Sequence, residues 1–234
     1  MLRLMAATIL LMASQGAPAQ ERQRAVGIGP APSLTPISWE LDLKYLHPRR
    51  IEVQAAGADQ PEVYWYMVDT VTNTSNVTQY FYPTFELVTE DLRVIETDMG
   101  ISPLVFEAIR ERHKITHKYL VHPTKAIGEL RIGTDYARES AAIWRASDLN
   151  VTAFKIYVAG LSGEARVMRN PAYDPQSPEN KTIARPGGRQ REIRVNPKYF
   201  TLRKALELSY TLPASEHARR QIEPRLDDAR WIMR

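Results

Sequence analysis

The densest apolar pattern in the chain lies at residues 63–89, VYWYMVDTVTNTSNVTQYFYPTFELVT. Two runs rich in aromatic and β-branched residues flank a small polar cluster at residues 73–76. This pattern is typical of a β-hairpin, and the apolar character of both faces of the first run favours a central strand. We therefore predict that this hairpin forms the core of a β-sandwich and buries its tyrosines, Tyr64, Tyr66, Tyr80 and Tyr82.

Alternation of apolar and polar positions predicts further strands along the chain. The clearest alternation lies at residues 203–212 and ends at Pro213. Other strands are expected at residues 37–46, 51–54, 91–97, 115–121, 152–158 and 192–195. About eight to ten short strands separated by proline and glycine turns are typical of a β-sandwich or barrel.

One helix is expected within this β-rich region. Ser102 is a favourable N-cap residue, Pro103 suits the first helical turn, and the apolar residues that follow predict a helix at Pro103–His113. Residues 170–188 are rich in proline, asparagine and glycine and predict a long exposed loop. The charged tail at residues 214–234 is expected to be partly helical, with Trp231 and Ile232 contacting the body.

The N-terminal residues have the pattern of a cleaved export signal. Arg3 precedes an apolar run at residues 4–13, and residues 17–19 form an A-x-A cleavage site. The alternative for this stretch is a buried N-terminal helix. We predict a signal peptide at 1–19, a flexible lead-in at 20–36, a β-sandwich domain at 37–213 and a charged tail at 214–234. The mature protein is then expected to be periplasmic or secreted.

Composition narrows the possible chemistry. The 234-residue chain has no cysteine, which excludes disulfides, thiolate nucleophiles and cysteine metal sites. An exported protein without disulfides suits the bacterial cell envelope better than a small secreted animal domain. Four sequons, at Asn73, Asn76, Asn150 and Asn180, either accept glycans in a eukaryotic secretory protein or simply reflect turn residues.

No residue pattern identifies a catalytic, cofactor or metal site. His113, His117 and His122 lie close in sequence, but without an H-E-x-x-H pattern we expect surface histidines at a helix-to-strand junction. The carboxylate pairs at 90–91 and 227–228 lack the spacing of a calcium loop. The chain also lacks G-x-S-x-G and phosphate-binding glycine motifs. We therefore expect no cofactor.

A basic run is the most visible charge feature. It is expected on or beside the exposed loop, where it could contact an envelope protein, an anionic polymer or a lipid head group. Nucleic acid is not an expected partner, because the exported chain loses Arg3 with the signal and its net charge falls from +4 to only +3. The alternative is a solvated loop without a partner. The basic residues are Arg185, Arg189, Arg191, Arg194 and Lys198.

Two stretches resemble small exported immunoglobulin-like modules. They are TVTNTSNVTQYFYPTFELVTED, with its V-x-N-x-T and P-x-F-x-L strands, and ARESAAIWRASDLNVTAFKIYVAGLSGE. The resemblance implies an immunoglobulin-like β-sandwich and carries no active site. We therefore expect an exported, non-catalytic binding or structural module of the cell envelope. The alternative is a hydrolase that acts on an envelope polymer through a site not recognisable in the sequence.

Overall fold

The computed structural model describes residues 26–28, 39–54, 60–97, 101–145, 151–184 and 190–234. Within these ranges the chain is mainly β, with fifteen strands and three short α-helices. The predicted signal peptide lies outside the described residues. The strands are β1 (Val26–Ile28), β2 (Asp42–Tyr45), β3 (Arg49–Val53), β4 (Glu62–Thr72), β5 (Gln79–Phe81), β6 (Thr84–Thr89), β7 (Val94–Glu96), β8 (Gly128–Leu130), β9 (Arg138–Arg145), β10 (Ala153–Ala159), β11 (Ala165–Arg169), β12 (Asn180–Ala184), β13 (Gln190–Arg194), β14 (Tyr199–Thr211) and β15 (Arg225–Met233). The helices are α1 (Pro103–His113), α2 (Pro123–Ala126) and α3 (Glu216–Gln221).

Strand β4 is the centre of the first sheet. It pairs with β9 along one edge, and with β2 and then β3 along the other, all antiparallel. β1 extends the sheet beyond β2, so residues 26–28 of the predicted lead-in belong to this sheet. Because β4 has neighbours on both edges and is buried on both faces, it is the central strand that its sequence predicted.

The second sheet is built around β10 and β14. β10 pairs with β6 on one edge and with β14 on the other. β7 adds beyond β6, and β15 covers the far edge of β14. The strands predicted at residues 152–158 and 203–212 are confirmed as β10 and β14.

Side chains from the two sheets meet in one apolar cluster, which we call the main core. One face of β4 contributes Trp65 and Met67, and β9 contributes Trp144. β10 and β14 contribute Ile156 and Leu208 from the opposite sheet. The chain is therefore mainly β, with several antiparallel sheets, and its two largest sheets share one core.

Helix α1 covers the other face of the first sheet. The Ser102 hydroxyl accepts a hydrogen bond from the Leu104 amide at 3.4 Å, which caps the helix as predicted. Phe106 and Ile109 on α1 pack against Tyr66 and Val68 on β4 in a second apolar cluster. The predicted helix at Pro103–His113 is confirmed, and β4 separates the two cores.

The predicted hairpin at residues 63–89 is wrong. β4 belongs to the first sheet and β6 to the second, so the polar turn carries the chain from one sheet to the other. β6 pairs with β10 because both edges of β4 are already occupied by other strands. Tyr80 and Tyr82 are not core residues: each is 61% exposed, and their rings stack on each other 6.4 Å apart.

Three other predicted elements differ in the structure. Residues 115–121 form turns instead of a strand, and Ile115 is 88% exposed. The segment predicted as a loop at 170–188 contains β12, which pairs with β13. The tail contains the short helix α3 but ends in β15, and Trp231 of β15 packs against the main core. Only β15 depends on a distant strand, β14. β12 pairs with β13, the next strand along the chain, and the turns after α1 are closed by backbone hydrogen bonds to the carbonyl of His113.

Gly160 is required by a close approach between two chain segments. Its φ is +87°, and a Cβ at this position would lie 2.4 Å from the carbonyl oxygen of Tyr82. We expect Gly160→Ala to lower the free energy of unfolding by about 2 kcal/mol or more, because it combines a left-handed backbone with a steric clash. Urea unfolding monitored by circular dichroism measures this.

The matched control is Gly128→Ala. Gly128 also has a positive φ, of +117°, but a Cβ there meets no atom within 4 Å. The difference between the two variants therefore isolates the contact with Tyr82. Equal losses of stability would show that this contact imposes no requirement for glycine.

Candidate partner-binding site

The long strand β14 divides into a buried part and an exposed part. From Lys204 onward most of its residues are buried, whereas most of the preceding residues, Tyr199–Arg203, are exposed. β11 pairs with this exposed part in five antiparallel pairs. We call β11, β12, β13, the segments that join them and Tyr199–Arg203 the arm.

Two buried asparagines hold the base of the arm's loops. The Asn170 side chain donates to the carbonyl of Pro197 at 2.8 Å. The Asn196 side chain donates to the carbonyls of Asp174 and Ser177 at 2.7 and 2.9 Å. The Ser177 hydroxyl donates to the Asp174 carboxylate, which lowers the pKa of that carboxyl group. These bonds join the start of the segment that was predicted to be a long loop to residues 196–197, which follow β13.

The arm exposes apolar side chains that the sequence analysis did not select. Met168 on β11 lies directly opposite Phe200 on β14, and both side chains are exposed. Val167 and Tyr199 are also exposed on the same two strands. A two-stranded ribbon is marginally stable in water when it has no surface to pack against. The sequence provides only a weak signal for this apolar surface, because its two short apolar runs lie on either side of a segment that resembles a loop.

The backbone of the arm also presents an open edge. In the part of the chain that the structure describes, β11 pairs only with β14, and its outer edge has no strand beside it. Edge strands carry unpaired N–H and C=O groups, to which an extended segment of another protein can add. The arm therefore offers both an apolar surface and a hydrogen-bonding edge.

Charge separates the arm from the rest of the chain. Residues 165–203 contain nine basic and three acidic residues, a net charge of +6. The whole chain carries +4, so the remaining residues together carry −2. Charge asymmetry of this kind favours an acidic partner for the basic segment.

The structure places two of the five predicted contact side chains. Arg194 lies on β13 and Lys198 follows it, and both are exposed on the arm. The Lys198 ammonium lies 5.7 Å from the centre of the Tyr199 ring. The backbone of Arg191 lies on β13, while Arg185 and Arg189 lie outside the described residues. The basic run is therefore partly on a strand, and its role in binding stays a prediction.

The three clustered histidines have structural surroundings. His113 is buried, and its Nε2 lies 3.0 Å from the Tyr66 hydroxyl. The expectation that it lies on the surface is wrong. Burial, with the nearby positive charges of His117, Arg49 and Arg112, lowers the pKa of His113 to about 4. His113 is therefore neutral at pH 7.

The structure also gives His117 and His122 specific neighbours. The His113 and His117 rings lie 5.5 Å apart, because the chain turns directly after α1 instead of forming a strand. His122 packs against Phe106 with ring centres 5.0 Å apart. Among the described residues, no group of three histidine, aspartate or glutamate side chains is placed to hold a metal ion.

The two carboxylate pairs also have structural partners. Glu90 accepts hydrogen bonds from the amide and hydroxyl of Thr152 at 3.2 and 3.0 Å. Asp91 accepts from Arg93 at 2.7 Å within the same turn. At the other pair, Asp227 accepts from Arg225 at 3.0 Å. These contacts fix turns and strand ends on the surface.

One sequon is closed to glycosylation in the folded protein. Asn73 is fully buried, and its side-chain amide donates to the carbonyls of Val77 and Leu130, both at 2.9 Å. Its nitrogen therefore has no room for a glycan. Asn76 and Asn180 are exposed, and Asn150 lies outside the described residues.

Comparison with known proteins gave no match. No family model matches the chain, and neither a curated protein nor a solved structure does. Across the ranges that the structure covers, no helix is long and apolar enough to cross a membrane.

Proposed function

We propose that the protein is an exported, non-catalytic binding module of the cell envelope, and that its arm binds an acidic partner protein. The proposal depends on the arm, which has exposed apolar side chains and an open strand edge. In addition, the sequence of residues 165–203 carries a net charge of +6. Export is supported by the signal pattern at residues 1–19.

The composition of the arm favours a protein partner over an anionic polymer. A polyanion is bound chiefly by basic side chains, which would leave Met168 and Phe200 in water. A protein that adds a strand to β11 satisfies the open edge, and the part of that protein which packs on the face of the ribbon covers the apolar pair. Acidic residues on that partner then face Arg194 and Lys198.

We also propose that the two main sheets form an immunoglobulin-like sandwich. The support is their antiparallel pairing, their shared core and the resemblance of two stretches of sequence to such modules. A sandwich of this kind is a rigid base for a projecting arm. An experimental structure with a different order of strands in either sheet would contradict this assignment.

The test of the proposed function is retention of the partner. The tagged protein is expressed with its own N-terminal segment and used to capture proteins from envelope extracts at low and high salt. We expect an acidic protein, identified by mass spectrometry, whose retention falls as salt screens the charges. Recovery of only an anionic polymer, or of a partner insensitive to salt, would contradict the proposal.

The arm is tested by replacing its apolar pair. Met168→Ser with Phe200→Ser is expected to weaken affinity for the captured partner at least about tenfold, because buried aromatic anchors dominate interface energies. Ile115→Ser is the matched control, since Ile115 is a more exposed apolar residue outside the arm. Surface plasmon resonance with the purified partner measures both variants. Equal affinities would remove the arm from the interface.

The hydrolase alternative has no specific observation in its favour. His113 lies near Glu223, the one carboxylate that lines the same pocket, but Glu223 forms an ion pair with Arg49 at 3.0 Å. His113 itself faces the Tyr66 hydroxyl.

A further inference from the structure

A pocket of about 420 Å³ lies beside the C-terminal end of α1. It is lined by β3, by the last turn of α1 and by the segment between α3 and β15. In the described part of the first sheet β3 pairs only with β4, so the pocket opens along the outer edge of β3. Its size falls within the range of about 300–1,000 Å³ that is typical of small-molecule sites.

Three arginines converge on this pocket from two distant parts of the chain. Arg49 and Arg50 belong to β3, and Arg112 belongs to the last turn of α1. Glu223 is the only acidic residue in the lining. With His113 neutral, the lining carries a net charge of +2.

The arginines are held in place by the surrounding structure. Arg112 donates from one guanidinium nitrogen to the carbonyl of Arg50 at 2.9 Å and to the Tyr66 hydroxyl at 3.3 Å. The Arg50 guanidinium lies 6.0 Å from the centre of the Trp65 ring. Arg49 is fixed by its ion pair with Glu223.

Two of the three guanidinium groups retain donors for a ligand. Among the described residues, neither Arg50 nor Arg112 forms an ion pair with a carboxylate, and Arg112 uses one of its three nitrogens on neutral oxygens. A guanidinium presents five N–H donors in a fork that matches the oxygens of phosphate. Two such groups in one pocket provide more donors than the protein itself satisfies.

We propose that this pocket binds a dianionic phosphate group, either free or as the ester of a small organic molecule. The net charge of the lining is equal in magnitude and opposite in sign to that of the ligand, and arginine forks recognise phosphate oxygens through paired hydrogen bonds. The site is independent of the arm, because it shares no residue with it.

Isothermal titration calorimetry of the full-length protein tests the site with glucose 6-phosphate, inorganic phosphate and glucose. At about pH 8.5 both phosphate probes are largely dianionic, since the second pKa of a phosphate ester is about 6 and that of inorganic phosphate is about one unit higher. We expect both to bind and glucose not to bind. Tighter binding of glucose 6-phosphate identifies an esterified ligand, and equal affinities identify free phosphate. Failure of both phosphate probes to bind overturns the proposal.

Arginine variants then locate the binding. Arg50→Gln and Arg112→Gln are each expected to weaken phosphate binding about tenfold or more, because each removes charge-assisted hydrogen bonds. Arg110→Gln is the control: Arg110 is on the same turn of α1, but it pairs with Glu107 and does not line the pocket. If Arg110→Gln weakens binding as much as the other two, the effect is general electrostatics and the site is refuted. Thermal unfolding of each variant checks that it is folded.

Discussion

Trp144→Ala is expected to lower the free energy of unfolding by about 3–5 kcal/mol. Trp144 is 0% exposed and belongs to the main core, where it lies opposite Trp65 in the first sheet. Removal of its ring leaves a cavity between two sheets, each of which is fixed by its own strand pairing. Domains of this kind are stable by about 5–15 kcal/mol, so a large share of the stability is lost.

Trp144→Phe separates the contribution of ring packing to stability from that of the indole N–H group. The indole N–H of Trp144 has no acceptor among the described residues, so phenylalanine removes an unsatisfied donor as well as part of the ring. We expect a much smaller loss, of about 1 kcal/mol. Urea unfolding of both variants, followed by tryptophan fluorescence and circular dichroism, measures the difference. Comparable losses would show that the indole nitrogen does bond within the core.

Lys204→Met is expected to cost about 3–5 kcal/mol, because it removes the charge that neutralises two carboxylates. Lys204 is 6% exposed and lies on β14 where the arm meets the body. Its ammonium lies 2.6 Å from Glu40 and 3.1 Å from Glu164. The methionine side chain fills the space but removes the ammonium group from beside both carboxylates.

Neutralisation of the partners is the control for this prediction. Adding Glu40→Gln and Glu164→Gln to Lys204→Met is expected to recover much of the lost stability, since no unpaired charge remains. Lys155→Met should cost less than about 1 kcal/mol, because Lys155 is half exposed and its partner Glu207 keeps Arg230. An unchanged deficit in the triple variant would show that packing, and not charge, explains the loss.

The same lysine gives a prediction for alkaline pH. Burial opposes the charge of Lys204, but the hydrogen bonds to Glu40 and Glu164 outweigh it and raise the pKa of the ammonium group. Because its pKa is higher in the folded state, charged Lys204 stabilises the folded protein fully at pH values below the unfolded pKa of about 10.4. This contribution is lost as the pH rises through the pKa of the folded state. The stability gap between wild type and Lys204→Met should therefore narrow above about pH 10.4. A constant gap would contradict the assigned pKa direction.

Local sequence patterns correctly predicted those helices and strands whose signals lie within a few neighbouring residues. The helix Pro103–His113 follows from the Ser102 cap, the proline in its first turn and a helical apolar repeat. The alternation at β10 identifies which of its residues are buried, whereas in β14 Glu207 is buried together with the neighbouring Leu206 and Leu208. These signals are local because capping bonds join neighbouring residues and alternation follows from strand geometry alone.

Strand partners could not be predicted in the same way. Alternation identifies the buried face of a strand, but it does not identify which strand completes its hydrogen bonds. β4 and β6 therefore resembled a hairpin although each pairs in a different sheet. The charged C-terminal residues predict helical turns, but they form the strand β15. Its pairing with β14 and the contact of Trp231 with the main core cannot be read from the local sequence.

The same distinction between local and distant contacts applies to the candidate sites. The sequence by itself identified the basic run, because charge is a property of composition, and it determined a mainly β protein from alternation. Only the tertiary structure placed Met168 opposite Phe200, and only it joined Arg50 to Arg112, which are 62 positions apart in the chain. Both sites depend on contacts between distant segments, and these contacts are decided by how the whole chain packs.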